Sequence, residues 1–353
     1  MFCRKLARFA AIVGALAAVA PALGWGARGH RTITRLALDG LGPELPAWVR
    51  DPEVVSRIAE QSNEPDRWRG TKLPAIGHEL NPEHYIDVED LEPFGLALAT
   101  LPQHRYEYFR AMVKAKLEHP GRMAPYDPAK DPDRSKEWPG FLPYAIAEHF
   151  AKLQSSFHTY RVLEALDDPA RAEHRLQARE NAIYEMGILS HYVGDASQPL
   201  HTTRHHHGWV GPNPRGYTRE NGFHSYVDSR IVEIHGLGYD ALRPGMRYDA
   251  TIDARDPWPG CIAFIQRSFD GVGPLYELEK SGELTRESGK AFIETRLRDS
   301  ASTLAALYTA AWEAARPTDA DIAAFIRYSE MRGRRRGGNE ATQPAGTGAP
   351  PPP

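Results

Sequence analysis

The sequence predicts a mostly α-helical protein. Apolar residues recur at helical spacing over several long windows, and alternating strand patterns are scarce. Between the helical windows lie long stretches rich in proline and glycine. The first twenty-four residues stand apart: Arg4, Lys5 and Arg8 precede an apolar run from Phe9 to Ala20, and Pro21-Ala22-Leu23-Gly24 offers small residues for cleavage. This reads as a secretory signal peptide, residues 1–24, and implies a periplasmic or secreted protein. The run is too short to span a bilayer comfortably, and no later segment approaches the twenty or so apolar residues a crossing needs.

After that leader, Thr32 to Leu41 places Ile33, Leu36 and Ala37 on one helical face. Tyr144 to Leu166 repeats the pattern with Ile146, Phe150, Leu153, Phe157, Val162 and Leu166. Ala178 to Val193 and Ser225 to Ile234 follow, and Ala291 to Ala315 is rich in Ala and Leu with few breakers. Pro120 to Pro143 and Thr202 to Gly222 are expected to be irregular, and loops that long in a compact domain usually serve a function. One domain is expected over 25–331. Residues 332–353, first Arg-rich and then rich in Gly, Thr and Pro, form an expected disordered tail.

Composition excludes little but narrows the chemistry. The chain is 41% hydrophobic and 25% charged, as ordinary globular proteins are. Its formal net charge of −3 gives no global attraction to nucleic acid or to an anionic membrane. A polyanionic ligand would have to be held locally. Of the two cysteines, Cys3 leaves with the leader, and Cys261, expected to be an inert buried thiol, cannot form an internal disulfide. Stability must come from a core or from metal. No stable protein partner is expected, and the protein reads as a monomer.

Nine potential zinc donors are spread along the chain: Trp25, His30, Asp66, His84, His191, Asp195, His201, His224 and Asp228. His191 and Asp195 stand four apart on an expected helix, so both leave the same face one turn apart; His224 and Asp228 repeat the spacing. Pro199 ends the first helix and turns His201 back toward its end. Gly194 is expected to let another backbone approach. Cleavage after Gly24 would give Trp25 a free amine beside its carbonyl, two ligand atoms on one residue. Imidazole with carboxylate suits zinc better than calcium or magnesium. A cluster of this kind activates water and neutralises a phosphate in one place, which points to a phosphodiesterase.

Other features read as structural. His205-His206-His207 is expected on a solvated loop, Arg332 to Arg336 as a solvated run, and His149, His158 and His174 as helical residues without partners.

The stretch Leu189-Ser190-His191-Tyr192-Val193-Gly194-Asp195-Ala196-Ser197-Gln198-Pro199-Leu200-His201 resembles the signature of the S1/P1 nuclease and zinc-dependent phospholipase C superfamily, His-x-x-x-Asp-x-x-Gln-Pro-Leu/Met-His. The Trp-led terminus is similar too. The resemblance covers roughly Trp25 to Glu233 in scattered blocks. It implies an all-α phospholipase C/P1 nuclease-like domain with three zinc ions at the bottom of a cleft. By that resemblance Trp25, His30 and Asp195 hold one zinc; Asp195 bridges to a second held by Asp66, His84 and His191; His201, His224 and Asp228 hold the third. Glu64 and Asp87 compete with Asp66 for its role, and a small insertion is expected around Pro74 to Gly77.

The implied reaction is attack of a metal-bridging hydroxide on phosphorus, with Asp66 orienting the water and Arg69 contacting the phosphate; an exposed surface arginine is the competing account of Arg69. Tyr85 and Asp87 resemble the nuclease residues that stack on a base and accept its amino group; a buried core role is the competing account of Tyr85. The expected substrates are single-stranded nucleic acid or 3′-nucleotides. His30 five positions after Trp25, Asp228 and the Asp66-x-x-Arg69 spacing favour the nuclease branch. Gly222-Phe223-His224-Ser225, Pro65-Asp66 and the lack of the nuclease disulfides favour a phospholipase C acting on phospholipid head groups. An inactive metal-binding module is the third alternative.

Overall fold

The computed structural model describes residues 25–328 except 124, 125, 130, 132, 133 and 135. The expected leader and the expected tail lie outside the described residues. Among those described, helix dominates and no strand occurs; Ile86 and Gly140 form an isolated antiparallel bridge. No described helix is long and apolar enough to cross a membrane.

The centre is a helical hairpin. Helix α6 (Leu142–Leu166) and α7 (Ala172–Ser197) pack along their lengths, joined by a short turn in which Asp167 takes a left-handed conformation at φ 43°. Helix α13 (Glu287–Ala314) lies against both, and α1 (Gly26–Asp39) and α2 (Pro52–Gln61) close the other side of α7. The second half of α7 is therefore surrounded: every residue from Met186 to Ser197 is buried. A helix enclosed on all sides is normally apolar throughout. This one carries His191 and Asp195 at 0% exposure, the first structural sign of a site.

Smaller helices fill the periphery. They are α3 (Glu64–Gly70), α4 (Pro74–Leu80), α5 (Arg105–Glu118), α8 (Phe223–Ser225), α9 (Val232–Ile234), α10 (Tyr239–Leu242), α11 (Trp258–Phe269) and α12 (Val272–Lys280). Between α8 and α9 the chain winds as a π-helix over Tyr226–Ile231, so the expected helix from Ser225 to Ile234 is present with a widened middle turn. The long helices extend the expected windows by a turn or so at their starts: α1 begins at Gly26 rather than Thr32, and α7 at Ala172 rather than Ala178. The segment Pro74 to Gly77 forms the first turn of α4.

The two long loops differ from each other. Thr202 to Gly222 has no described helix or strand, yet it is tied down. His205 stacks on Trp209 at 3.8 Å between centroids, Trp209 meets Tyr276 edge-on at 5.3 Å, and the Tyr276 hydroxyl donates to the His205 carbonyl. Between Glu118 and Leu142 the described residues hold only one short 3-10 turn, Pro120–Arg122. The end of that segment docks on residues 82–87. The N–H of Phe141 donates to the Pro82 carbonyl at 2.6 Å, that of Leu142 to the Tyr85 carbonyl at 3.1 Å, and that of Asp87 to the Pro139 carbonyl at 2.6 Å. Gly140 sits at φ 108°, and a Cβ there would lie 2.1 Å from the Tyr85 carbonyl oxygen, so this docking requires glycine. On its other side the strip is held by the N–H of Ile86 donating to the His201 carbonyl at 2.9 Å.

Candidate metal centre

Eight of the nine expected donors converge by side chain. His30 comes from α1, Asp66 from α3, His84 from a 3-10 turn (Asn81–His84), and His191 with Asp195 from α7. His201 ends the 3-10 turn Pro199–His201, His224 lies on α8, and Asp228 sits in the π-helix. All eight are 6% exposed or less. Three groups have donor atoms within 4.8 Å of one another: His30, Asp66 and His191; His84, His191 and Asp195; His201, His224 and Asp228. The third group is the one the resemblance implies. In the first two, Asp66 pairs with His30 rather than with His84.

Asp195 stands at the middle. Its carboxylate lies 2.9 Å from His84 Nδ1, 3.2 Å from His191 Nε2, 3.5 Å from His30 Nε2 and 3.8 Å from His201 Nδ1. His30 reaches it because residue 194 is glycine: a Cβ there would stand 2.6 Å from His30 Nδ1. What approaches at Gly194 is thus an imidazole and not the expected backbone. The rings of His30 and His191 stack at 4.3 Å. His224 Nε2 lies 3.2 Å from Asp228 Oδ2.

Backbone and amide groups orient the imidazoles. His191 Nδ1–H donates to the Ser62 carbonyl at 2.8 Å, and His201 Nδ1–H to the His84 carbonyl at 2.6 Å. Each bond leaves Nε2 to face the cluster, unpartnered in His201 and 3.0 Å from His84 Nδ1 in His191, the orientation that metal-ligating histidines need. Gln198 holds Asp228 through its amide N–H while its Oε1 accepts the Leu200 N–H at 2.6 Å.

What remains inside has no hydrogen-bond partner. His30 Nδ1 and Nε2, Asp66 Oδ1, His84 Nε2, Asp195 Oδ1, His201 Nε2, both ring nitrogens of His224, and Asp228 Oδ2 are buried without a hydrogen bond. Each orphaned group costs about 1–3 kcal/mol, and a native fold carries only a few. Here they face one another. Nitrogen and carboxylate donors gathered this way fit zinc, so these groups could hold metal ions.

The electrostatics suit a cation. Burial lowers His30, burial and the Arg69 charge bring His84 down to about 3, and burial with His201 beside it lowers His224. Those imidazoles are neutral, the form that binds metal. Burial works against ionised Asp195, but His191 and His201 next to it hold it well below the usual carboxylate range. Burial pushes Asp228 well above that range, a penalty that a nearby cation would remove.

Trp25 is fully buried at the start of α1. Its indole Nε1–H donates to Ser197 Oγ at 2.6 Å, two residues past Asp195, and its carbonyl accepts the Gly29 N–H at 3.1 Å. One carbonyl lone pair is left over.

Among the competing carboxylates, Asp66 Oδ1 lies 4.0 Å from His191 Nε2, while Glu64 turns away to pair with Arg67. Arg69 is not an ordinary surface arginine. Its side chain is 21% exposed, Nη1 lies 3.5 Å from Asp66 Oδ1, and Nε donates to Asn81 Oδ1 at 3.2 Å. Asp87 falls outside the three groups, 3.9 Å from His206 Nδ1. Tyr85 is half-buried, its ring 6.5 Å from that of His206 with 30° between planes.

Two expectations are corrected. The histidine run is solvated only in part: His205 is buried against Trp209, His206 is half-buried, and His207, though exposed, has its ring 5.5 Å from that of His224. The aromatic anchor draws the loop inward over the cluster. His149 has partners, Glu185 Oε2 at 2.7 Å and the face of Tyr192 at 5.4 Å, because the α6–α7 hairpin brings them together. Cys261 is buried as expected, and burial raises its thiol to about 12.

No protein-family model and no curated protein matches the chain.

Proposed function

We propose that this protein is a zinc-dependent phosphodiesterase that hydrolyses single-stranded nucleic acid or 3′-nucleotides. The observation that carries the proposal is the set of orphaned buried donors, drawn from separate segments into three adjoining groups around Asp195. Zinc held there would supply positive charge for a phosphate and lower the pKa of a water. His30, His84, His191, His201, His224, Asp66, Asp195 and Asp228 would hold the ions, with Trp25 adding main-chain atoms. The protein's other groups position the substrate. Arg69 is half-buried beside Asp66, with its Nη1 3.5 Å from Asp66 Oδ1, and would set a guanidinium next to a phosphate held at the cluster. Tyr85 and His206 present ring faces to a base. Asp87, whose pKa is raised well above the usual range by burial and by Asp90 and Glu89, offers its carboxyl group to a base edge.

The test compares zinc-loaded protein beginning at Trp25 on single-stranded DNA, RNA, 3′-mononucleotides and phosphatidylcholine. Hydrolysis of the nucleic acids or nucleotides, lost with Asp195→Asn, is the expected result. Hydrolysis of phosphatidylcholine alone would assign the site to phospholipid head groups. Zinc binding with no hydrolysis of any of the four would leave only a metal-binding module.

A further inference from the structure

Helix α1 carries two chemistries on separate faces. His30 is buried toward the metal groups, whereas Arg28, Arg31 and Arg35, three and four positions apart, form one stripe along the outer side. A cavity of about 380 Å³ lies between that stripe and residues 236–241, lined by Arg28, Arg31, Arg35, Gly238, Tyr239 and Asp240 among others. Each guanidinium has a defined seat. Gly238 leaves room for Arg28, for a Cβ there would stand 3.0 Å from its Nη2. Arg35 lies 4.1 Å over the ring of Tyr239, which is itself fixed by its hydroxyl donating to Asp39 Oδ2 at 2.6 Å. Arg31 Nη1 stands 3.7 Å from Glu60 Oε1.

This placement is unfavourable by itself. Like charges one turn apart on a helix repel, and Arg28 stands in the first turn of α1, where the helix dipole favours acidic side chains and none is present. Arg28 and Arg35 have no ion pair among the described residues. The carboxylates nearby do not relieve them. Asp39 is taken by Arg243 at 3.2 Å, Glu60 is shared between Arg31 and Arg67, and the exposed Asp240 is the single carboxylate of the lining. Three guanidiniums against that one carboxylate leave two positive charges around a concave space.

We infer that this cavity is a binding site for a phosphate monoester dianion, separate from the metal groups. Three planar forks offer paired N–H groups to three edges of a tetrahedral oxyanion, whereas a carboxylate has too few oxygens to take them all. A monoester carries a charge of about two near neutral pH, which matches the excess in the lining; a diester carries one. Inorganic phosphate and the headgroup of phosphatidic acid share this chemistry. The inference stands without the phosphodiesterase reading, because none of its residues belongs to the metal groups.

The experiment titrates the zinc-loaded protein beginning at Trp25 with sodium phosphate at constant ionic strength, by calorimetry and by hydrogen exchange over residues 236–241. Arg28→Gln, Arg35→Gln, Arg28→Lys and the double variant Arg28→Gln/Arg35→Gln are compared with the native chain. All keep the metal groups, so phosphate held there is common to every curve. The native chain is expected to bind phosphate with added protection at 236–241. Each single Gln variant should weaken that binding about tenfold, the loss of one charge-assisted contact, and the double variant should abolish the protection. Arg28→Lys should fall between, because it keeps the charge and loses the fork. Dimethyl phosphate, a diester, should bind about tenfold more weakly than inorganic phosphate. Melting checks the folding of the variants: without phosphate the double variant should melt no lower than the native chain, since it lacks two like charges. Phosphatidic acid vesicles form the second arm. Binding to them that the Gln variants lose, with no protection by free phosphate, would assign the dianion to a lipid headgroup and uphold the site. Equal phosphate affinity and equal exchange in the native chain and the double variant, with no difference on vesicles, would overturn it. So would dimethyl phosphate bound as tightly as inorganic phosphate.

Discussion

Asp87 is a carboxyl group buried beside Asp90 and Glu89, and burial first, then those two charges, push its pKa well above the ordinary value. The unfolded chain releases this proton near pH 4 while the folded chain keeps it, so between the two pKa values the native state binds more protons. Stability from this group therefore falls as pH rises above about 4, and the loss levels off only above the folded pKa. Asp87→Asn keeps the shape and removes the titration. Urea unfolding of the zinc-loaded protein should find the variant's advantage growing as pH rises above about 4, by about 1.4 kcal/mol for each step of one in pH below the folded pKa. A gap that stays constant with pH would mean that Asp87 is ionised in the fold. At this scale the sequence was partly legible. The i,i+4 pairs His191/Asp195 and His224/Asp228 announce shared faces, and both pairs do face the cluster. The Ser62 and His84 carbonyls that orient His191 and His201 were not legible, because any residue type can supply a carbonyl. Nor were the partners of His149, which depend on how α6 meets α7.

Among the elements, the long helices α6, α7 and α13 were readable from apolar periodicity, since each has a broad face against the core. Helix α5 was not, because Tyr106, Phe109 and Leu117 stand on its exposed side and blur the pattern. The sequence shows the 202–222 loop to be irregular but not that it is anchored. Trp209 is the anchor, touching His205, Tyr217 and Tyr276 through ring contacts. Trp209→Ala should cost about 2–4 kcal/mol, less than or near the full truncation of a buried aromatic, and should free the loop before the hairpin. Hydrogen exchange over residues 202–222 should rise by orders of magnitude while α7 stays protected. Equal loss of protection in α7 would make the loop part of the same cooperative unit as the core. His206 and His207 ride on this loop above His224, so its anchoring also sets how closely the cluster is covered.

For the whole molecule, the absence of a disulfide among the described residues leaves the apolar core and the metal groups as the sources of cohesion. The core is built around α6, α7 and α13 and can form from apolar contacts alone. The cluster is different in kind. It gathers segments as far apart in sequence as His30 and Asp228 through polar atoms that repel or strand one another when no cation joins them. Each filled site adds about 4 kcal/mol when free metal exceeds its Kd a thousandfold. Chelation should therefore lower the melting temperature by well over ten degrees and loosen α1, α3 and the turns at His84 and His201 more than the hairpin. Metal analysis of the protein beginning at Trp25 should return about three zinc ions per chain, one for each group of donors. Hydrogen exchange with and without chelator separates the two sources of stability. A metal content near one, with unchanged melting and unchanged exchange at His30 and Asp66, would mean that the buried donors are reconciled by water rather than by zinc.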